Sequence, residues 1–114
     1  MDIDFEDQRF KKVCNDERLM LRRLGSKRSK LLKRRLIQLR AAPSLATLYP
    51  PYSGPARCHE LKGNRKGVLS VDLDHPYRLL FKPAHKPPPL RDEGGLDWDR
   101  VTAILILGVE DTHE

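Results

Sequence analysis

The chain has 114 residues with 22 Lys and Arg against 16 Asp and Glu, so it carries a net charge of +6. That length gives room for a single domain, 1–114, with one small core. No apolar run is long enough for a membrane span, the acidic start Met1-Asp2-Ile3-Asp4 does not resemble a secretory signal, and Cys14 and Cys58 show no CxxC pairing. A cytoplasmic protein with reduced thiols is the expectation. Ten of the basic residues fall between Arg18 and Arg40 with no acid among them, so the other 91 residues carry a net −4. A basic segment on an otherwise acidic chain predicts a polyanionic partner, nucleic acid first.

In chain order, Ile3 and Phe5 alternate with acids and predict a short strand at a sheet edge. Phe10, Val13, Cys14, Leu21 and Leu24 then recur at helical spacing from about Asp7, with Asn15-Asp16 as a point where the segment can split. Gly25 is placed to end this helix and Ser26 to cap the next, which runs to about Ala42 with Leu32, Leu36 and Leu39 on one face and Pro43 after it. The two form an antiparallel helical hairpin whose basic residues face solvent. Residues 43–56 hold four prolines and no sustained period, an irregular connection. Strands follow: a short one over 57–61, an alternating one over 67–73, a turn at Asp74-His75-Pro76 and a return strand Tyr77–Phe81. Residues 83–97 read as a long exposed loop, and 101–110 as the most hydrophobic strand, at the centre of the sheet. The predicted class is α+β: an N-terminal strand, a helical hairpin, then an antiparallel sheet of about four strands.

Three clusters carry possible chemistry. His59-Glu60-Leu61-Lys62-Gly63-Asn64-Arg65-Lys66-Gly67 puts a histidine, three cations and two glycines at a strand junction. Such a turn lets backbone approach a phosphate while cations hold it, although a solvated basic turn has the same composition. Arg78 interrupts the apolar strand Tyr77–Phe81. Either a structural partner such as Asp72 or an anionic ligand accounts for it. Asp111-Thr112-His113 follows the last strand and can aim an acid and an imidazole at the sheet edge, or simply fray. Cys58 beside His59 is not a nucleophile pair, because neighbours on a strand face opposite sides. Histidines and Asp111 lack the compact spacing of a metal site.

Taken together, the Cys58–Gly67 run, Ser70-Val71, Tyr77-Arg78-Leu79-Leu80-Phe81 and Val109–His113 resemble the HigB branch of the RelE/ParE toxin superfamily in residues, order and spacing. The resemblance covers mainly 57–82 and 101–113. It implies a RelE-like fold and the toxin of a type II toxin–antitoxin pair: a ribosome-dependent messenger-RNA endoribonuclease that needs no metal or other cofactor. The 2′-OH attacks the adjacent phosphorus, leaving a 2′,3′-cyclic phosphate and a 5′-OH. By the resemblance, His59, Asp111 and His113 are the proton-transfer candidates, without assignment of base and acid, and Arg78 meets the phosphate. Lys62, Arg65 and Lys66 would contact the substrate backbone. Thr112 takes the substrate-binding place where the family has a tyrosine, Glu60 replaces its proline, and Leu69 and Val71 stand where RelE has lysines. The implied partners are a HigA-like helix-turn-helix antitoxin, the 70S ribosome and messenger RNA, with the free toxin a monomer and the inhibited form a hetero-oligomer. The alternatives are a catalytically weak or inactive RelE-fold binder, including an antidote-side role, and a ParE-like gyrase inhibitor.

Overall fold

A computed structural model describes residues 1–49 and 54–111. Five strands, β1 (Asp2–Phe5), β2 (His59–Glu60), β3 (Leu69–Asp72), β4 (Tyr77–Pro83) and β5 (Ala103–Asp111), form one sheet in the order β1-β5-β4-β3-β2. The four later strands are antiparallel neighbours, as expected, and β1 makes the sheet mixed by pairing in parallel with β5. β1 is an edge strand; β5 is interior, but the central position belongs to β4.

The helical layer comprises α1 (Gln8–Asn15) and α2 (Glu17–Ala41). Asp7 and Asp16 start them, each accepting a backbone N–H with its carboxylate, from Arg9 at 2.8 Å and from Leu19 at 3.1 Å. The split at Asn15-Asp16 is therefore real. Inside α2, Gly25 has φ 81 and ψ 170, a conformation essentially confined to glycine. It reverses the chain: Glu17 reaches Lys33 at 2.9 Å and the Ser29 hydroxyl donates to the Met20 carbonyl at 3.0 Å. In a straight helix, residues sixteen apart would lie about 24 Å apart. The hairpin is thus formed by the two arms of α2, 17–24 and 26–41.

Leu32, Leu36 and Leu39 are buried, as their spacing predicts, against Phe5, Leu69, Val71, Leu79, Phe81, Ile104 and Ile106 from one face of the sheet. Two residues of the basic segment depart from the expected solvent face. Arg28 makes a forked pair with Asp74 at 3.0 and 3.1 Å and lies 3.5 Å from the Tyr77 ring centroid. Arg35, only 5% exposed, donates to the Asp72 carbonyl at 2.7 Å. Burial lowers the Arg35 pKa, with Arg34 adding to the effect and Asp72 opposing it. At Asp74 burial acts in the raising direction, yet the Arg28 fork, a backbone hydrogen bond and Lys27 together leave the carboxyl below its ordinary value.

The 83–97 excursion is exposed for most of its length but ordered. Leu90 bridges Leu96, the Arg91 N–H donates to Gly95 and that of Asp97 to Pro89, both at 2.9 Å, and Leu96 is buried.

Candidate active site

Register decides which side chains share the sheet face away from the helices. Asp72 pairs with Arg78, Ser70 with Leu80, and His59 with Ser70, so these five residues alternate onto one face. Leu69 and Val71 point the other way, into the core. The β3 positions facing the site are accordingly Ser70 and Asp72, not Leu69 and Val71. Cys58 is also on the core side, fully buried, its thiol pushed up to about 12 by desolvation.

His59 is half-buried, and its Nδ1 lies 2.7 Å from the Arg57 carbonyl oxygen. A carbonyl only accepts, so Nδ1 carries the proton and Nε2 is left to take or give one. Arg57 adopts φ 47, and its guanidinium turns to Asp72 at 3.4 Å. Arg78 approaches the same carboxylate from the other side, also at 3.4 Å. Asp72 is therefore the structural partner that Arg78 was open to having. Two guanidiniums share one carboxylate, however, and the cluster stays net positive. It borders a notch of about 80 Å³ whose walls include Arg57, Asp72, His75, Tyr77 and Arg78. Two strand spacings and two residues separate His59 from Arg78, roughly 12 Å between Cα atoms. An imidazole and a guanidinium can both reach one phosphodiester across that gap.

β5 brings a different acid from the one expected. Leu80 pairs with Gly108 and Phe81 with Ile106, so Leu107 is an extra residue in β5. The bulge reverses the alternation: Ile104 and Ile106 face the core, while Glu110 pairs with Arg78 and joins the open face. Asp111 pairs with Tyr77, on the helix side of the sheet. The register thus brings His59 and Arg78 to one face and leaves Asp111 off it. Thr112 and His113 lie outside the described residues.

The 61–67 segment folds back over this face. Arg65 makes a forked pair with Glu110 at 2.6 and 2.9 Å. That reach across three strands explains why Ser70 and Leu80 are buried on the side opposite the helices. The fork lowers the Glu110 pKa, slightly opposed by burial, and raises that of Arg65. Arg65, expected to contact substrate, is thus engaged by an acid in the free chain. Lys62 and Lys66 are exposed on the same segment. Glu60 closes the segment by accepting the Gly67 N–H at 3.0 Å.

Sequence reasoning missed Arg57 and Glu110 as members of this site. The parity of Arg57 with His59 was a usable signal, and so was Gly108, a glycine inside a strand, here with φ 145 beside the extra Leu107. Trp98 stands apart from this face. It packs edge-on against Tyr49, with ring centroids 4.9 Å apart, near the start of β5 and a strand length away from Asp111. Among the described residues, no three His, Cys, Asp or Glu side chains converge as a metal site would require, and no helix is long and apolar enough to cross a membrane.

No family model matches the sequence, and no curated protein matches it. Among solved structures, the chain is similar to one from the YoeB-YefM complex from Staphylococcus aureus, at 18% identity and a TM-score of 0.54, over 100% of this chain and 98% of the other. At this identity the likeness speaks to architecture: the chain has a RelE-like α+β fold.

Proposed function

We propose that this chain is the toxin of a type II toxin–antitoxin system, a HigB-like, ribosome-dependent endoribonuclease that cuts messenger RNA without a metal. The observation that carries the reading is the open face itself: an imidazole with Nε2 available for proton transfer stands beside two guanidiniums around one carboxylate. Attack of a ribose 2′-OH requires loss of its proton, formation of the P–O2′ bond, cleavage of the P–O5′ bond and protonation of the leaving 5′-oxygen. His59 Nε2 serves one of the two proton transfers. Arg78, supported by Arg57, meets the charge that develops on the phosphorane oxygens. Glu110, opposite Arg78 on the same face, or His113 serves the other proton transfer. Lys62 and Lys66 attach the RNA backbone, and the exposed cations of α2 supply attraction to RNA without sequence preference. The partners in this reading are a HigA-like helix-turn-helix antitoxin and, for the free cytoplasmic monomer, the 70S ribosome.

The test is purified protein added to translating ribosomes, with cut sites mapped by primer extension. Wild type should cut within the message. His59→Gln should lower the rate by roughly 10²–10⁴-fold, and Arg78→Ala should abolish cutting. Intact message at micromolar wild-type protein refutes the reading.

The engagement of Arg65 and Arg78 by acids, together with Thr112 in place of tyrosine, favours one second reading: a non-catalytic RelE-fold binder. Growth arrest on induced expression, lost in His59→Gln, separates the toxin from it.

A further inference from the structure

A second concavity lies behind the 61–67 segment. It is a cleft of about 580 Å³ between that segment, the end of β4 and the 83–97 excursion. Its apolar surface comes from Val68, Pro83, Leu90 and Leu96, and its cations are Lys66, Lys82 and Lys86. None of the three lysines is in an ion pair among the described residues. The one lining carboxylate, Glu60, is occupied by the Gly67 N–H at 3.0 Å. An apolar pocket with a few cations at its edge, in this size range, is the form that binding sites for small organic groups take.

The wall contributed by the excursion is fixed in advance. The Ala84 N–H donates to the Ala103 carbonyl at 2.9 Å, and that of Thr102 donates to His85 Nε2 at 3.1 Å. The latter bond takes His85 Nε2 as its acceptor and holds the ring against the start of β5.

The cleft and the candidate active site lie on the two sides of the 61–67 segment. Arg65 and Lys66 are consecutive, one engaged on the open face and the other lining the cleft. Lys82 alternates onto the same face of β4 as Arg78 and Leu80, about 13 Å along the strand from Arg78. Arg78 lines the notch and Lys82 and Lys86 line the cleft, with Leu80 buried between Arg78 and Lys82. A ligand that reaches both has repeated negative charge along a chain and an apolar ring system at each step.

We propose that this cleft is a nucleotide subsite, holding a base and phosphate of the single-stranded RNA that flanks the bond presented to His59 and Arg78. The proposal rests on the ribonuclease reading for its geometry, but its test does not depend on cleavage. The probe is a 2′-O-methyl RNA hexanucleotide, which lacks the nucleophile, added to the full chain. Methyl chemical shifts and the salt dependence of affinity are read in the wild type and in Lys82→Ala/Lys86→Ala. Both lysine side chains are exposed, and an unchanged melting temperature verifies folding.

RNA should shift the Leu90 and Leu96 methyls. The double variant should bind at least tenfold more weakly, and its plot of log affinity against log salt should flatten by about 1.4, the value for two lost single-strand phosphate contacts. Unmoved methyls, an unchanged salt slope, or a response to an acidic hexapeptide but not to RNA would each overturn the subsite. Wild type that leaves ribosomal message intact while binding the hexanucleotide in the cleft defeats the nuclease reading alone. Wild type that cuts message while the double variant binds RNA unchanged defeats the subsite alone.

Discussion

Asp72→Asn should lower stability and raise affinity for anions, two effects that a purely structural residue would not combine. The carboxylate lies 3.4 Å from both Arg57 and Arg78, and its side chain is only 19% exposed. At an effective dielectric near 20, one such pair has a gross Coulomb energy of about 5 kcal/mol, most of it offset by desolvation. The Arg57 partner is 67% exposed, so that pair adds little. The more enclosed Arg78 pair dominates, for a net cost of about 1–2 kcal/mol, or roughly 4–8 °C in melting temperature for a chain of this size. Removing the charge also removes repulsion toward a phosphate in the notch. One unit charge at about 6 Å, with an effective dielectric of 40–80, is worth roughly 0.7–1.4 kcal/mol, a gain of about 3–10-fold in affinity. Thermal denaturation gives the first quantity. Titration with a dinucleoside monophosphate at low salt, followed by NMR, gives the second. Weaker anion binding by a folded Asp72→Asn protein would refute the assignment of the two guanidiniums to an anion site.

Gly25→Ala should cost about 1–3 kcal/mol, because φ 81 with ψ 170 is closed to a residue with a Cβ although nothing crowds the position; denaturant unfolding measures it. Glu110→Gln should destabilise by no more than a few tenths of a kcal/mol at neutral pH, since both members of its pair are about 40% exposed. The folded Glu110 pKa is lowered, so the pair's contribution is present above the ordinary glutamate pKa and disappears as pH falls through the folded value. The two proteins should therefore converge in stability in acid, and a difference that grows there contradicts the pairing. Cys58, its thiol at about 12 and fully buried, should resist iodoacetamide at pH 8 until the chain is unfolded, as peptide mass mapping would show.

Where local pattern and tertiary packing agree, the fold was legible in the sequence. Asp7, Asp16 and Gly25 mark helix ends by backbone chemistry that depends on few neighbours, and Leu32, Leu36 and Leu39 keep their spacing into the core. The hairpin through Asp74-His75-Pro76 gives the pairing of Asp72 with Arg78 by counting residues from the turn. The pairing of β4 with β5 could not be counted, because the long 83–97 excursion separates them and Leu107 interrupts the register. For that reason Glu110 was overlooked and Asp111 was expected at the site. The inward roles of Arg28 and Arg35 were hidden for another reason: composition registers their charge but not the carboxylate and carbonyl on the sheet that receive them.

The extra residue at Leu107 bears on how such a site can change over time. Substitutions along β5 alter what each face presents, but they leave the two faces assigned as they are. Drawing the extra residue into a regular ladder, with Phe81 still opposite Ile106, would slip the end of the strand by one position as a unit. Glu110 would turn toward the helices opposite Tyr77, and Val109 would stand opposite Arg78. In this chain, an acid stands beside Arg78 because of the bulge as much as because of the letters of the strand.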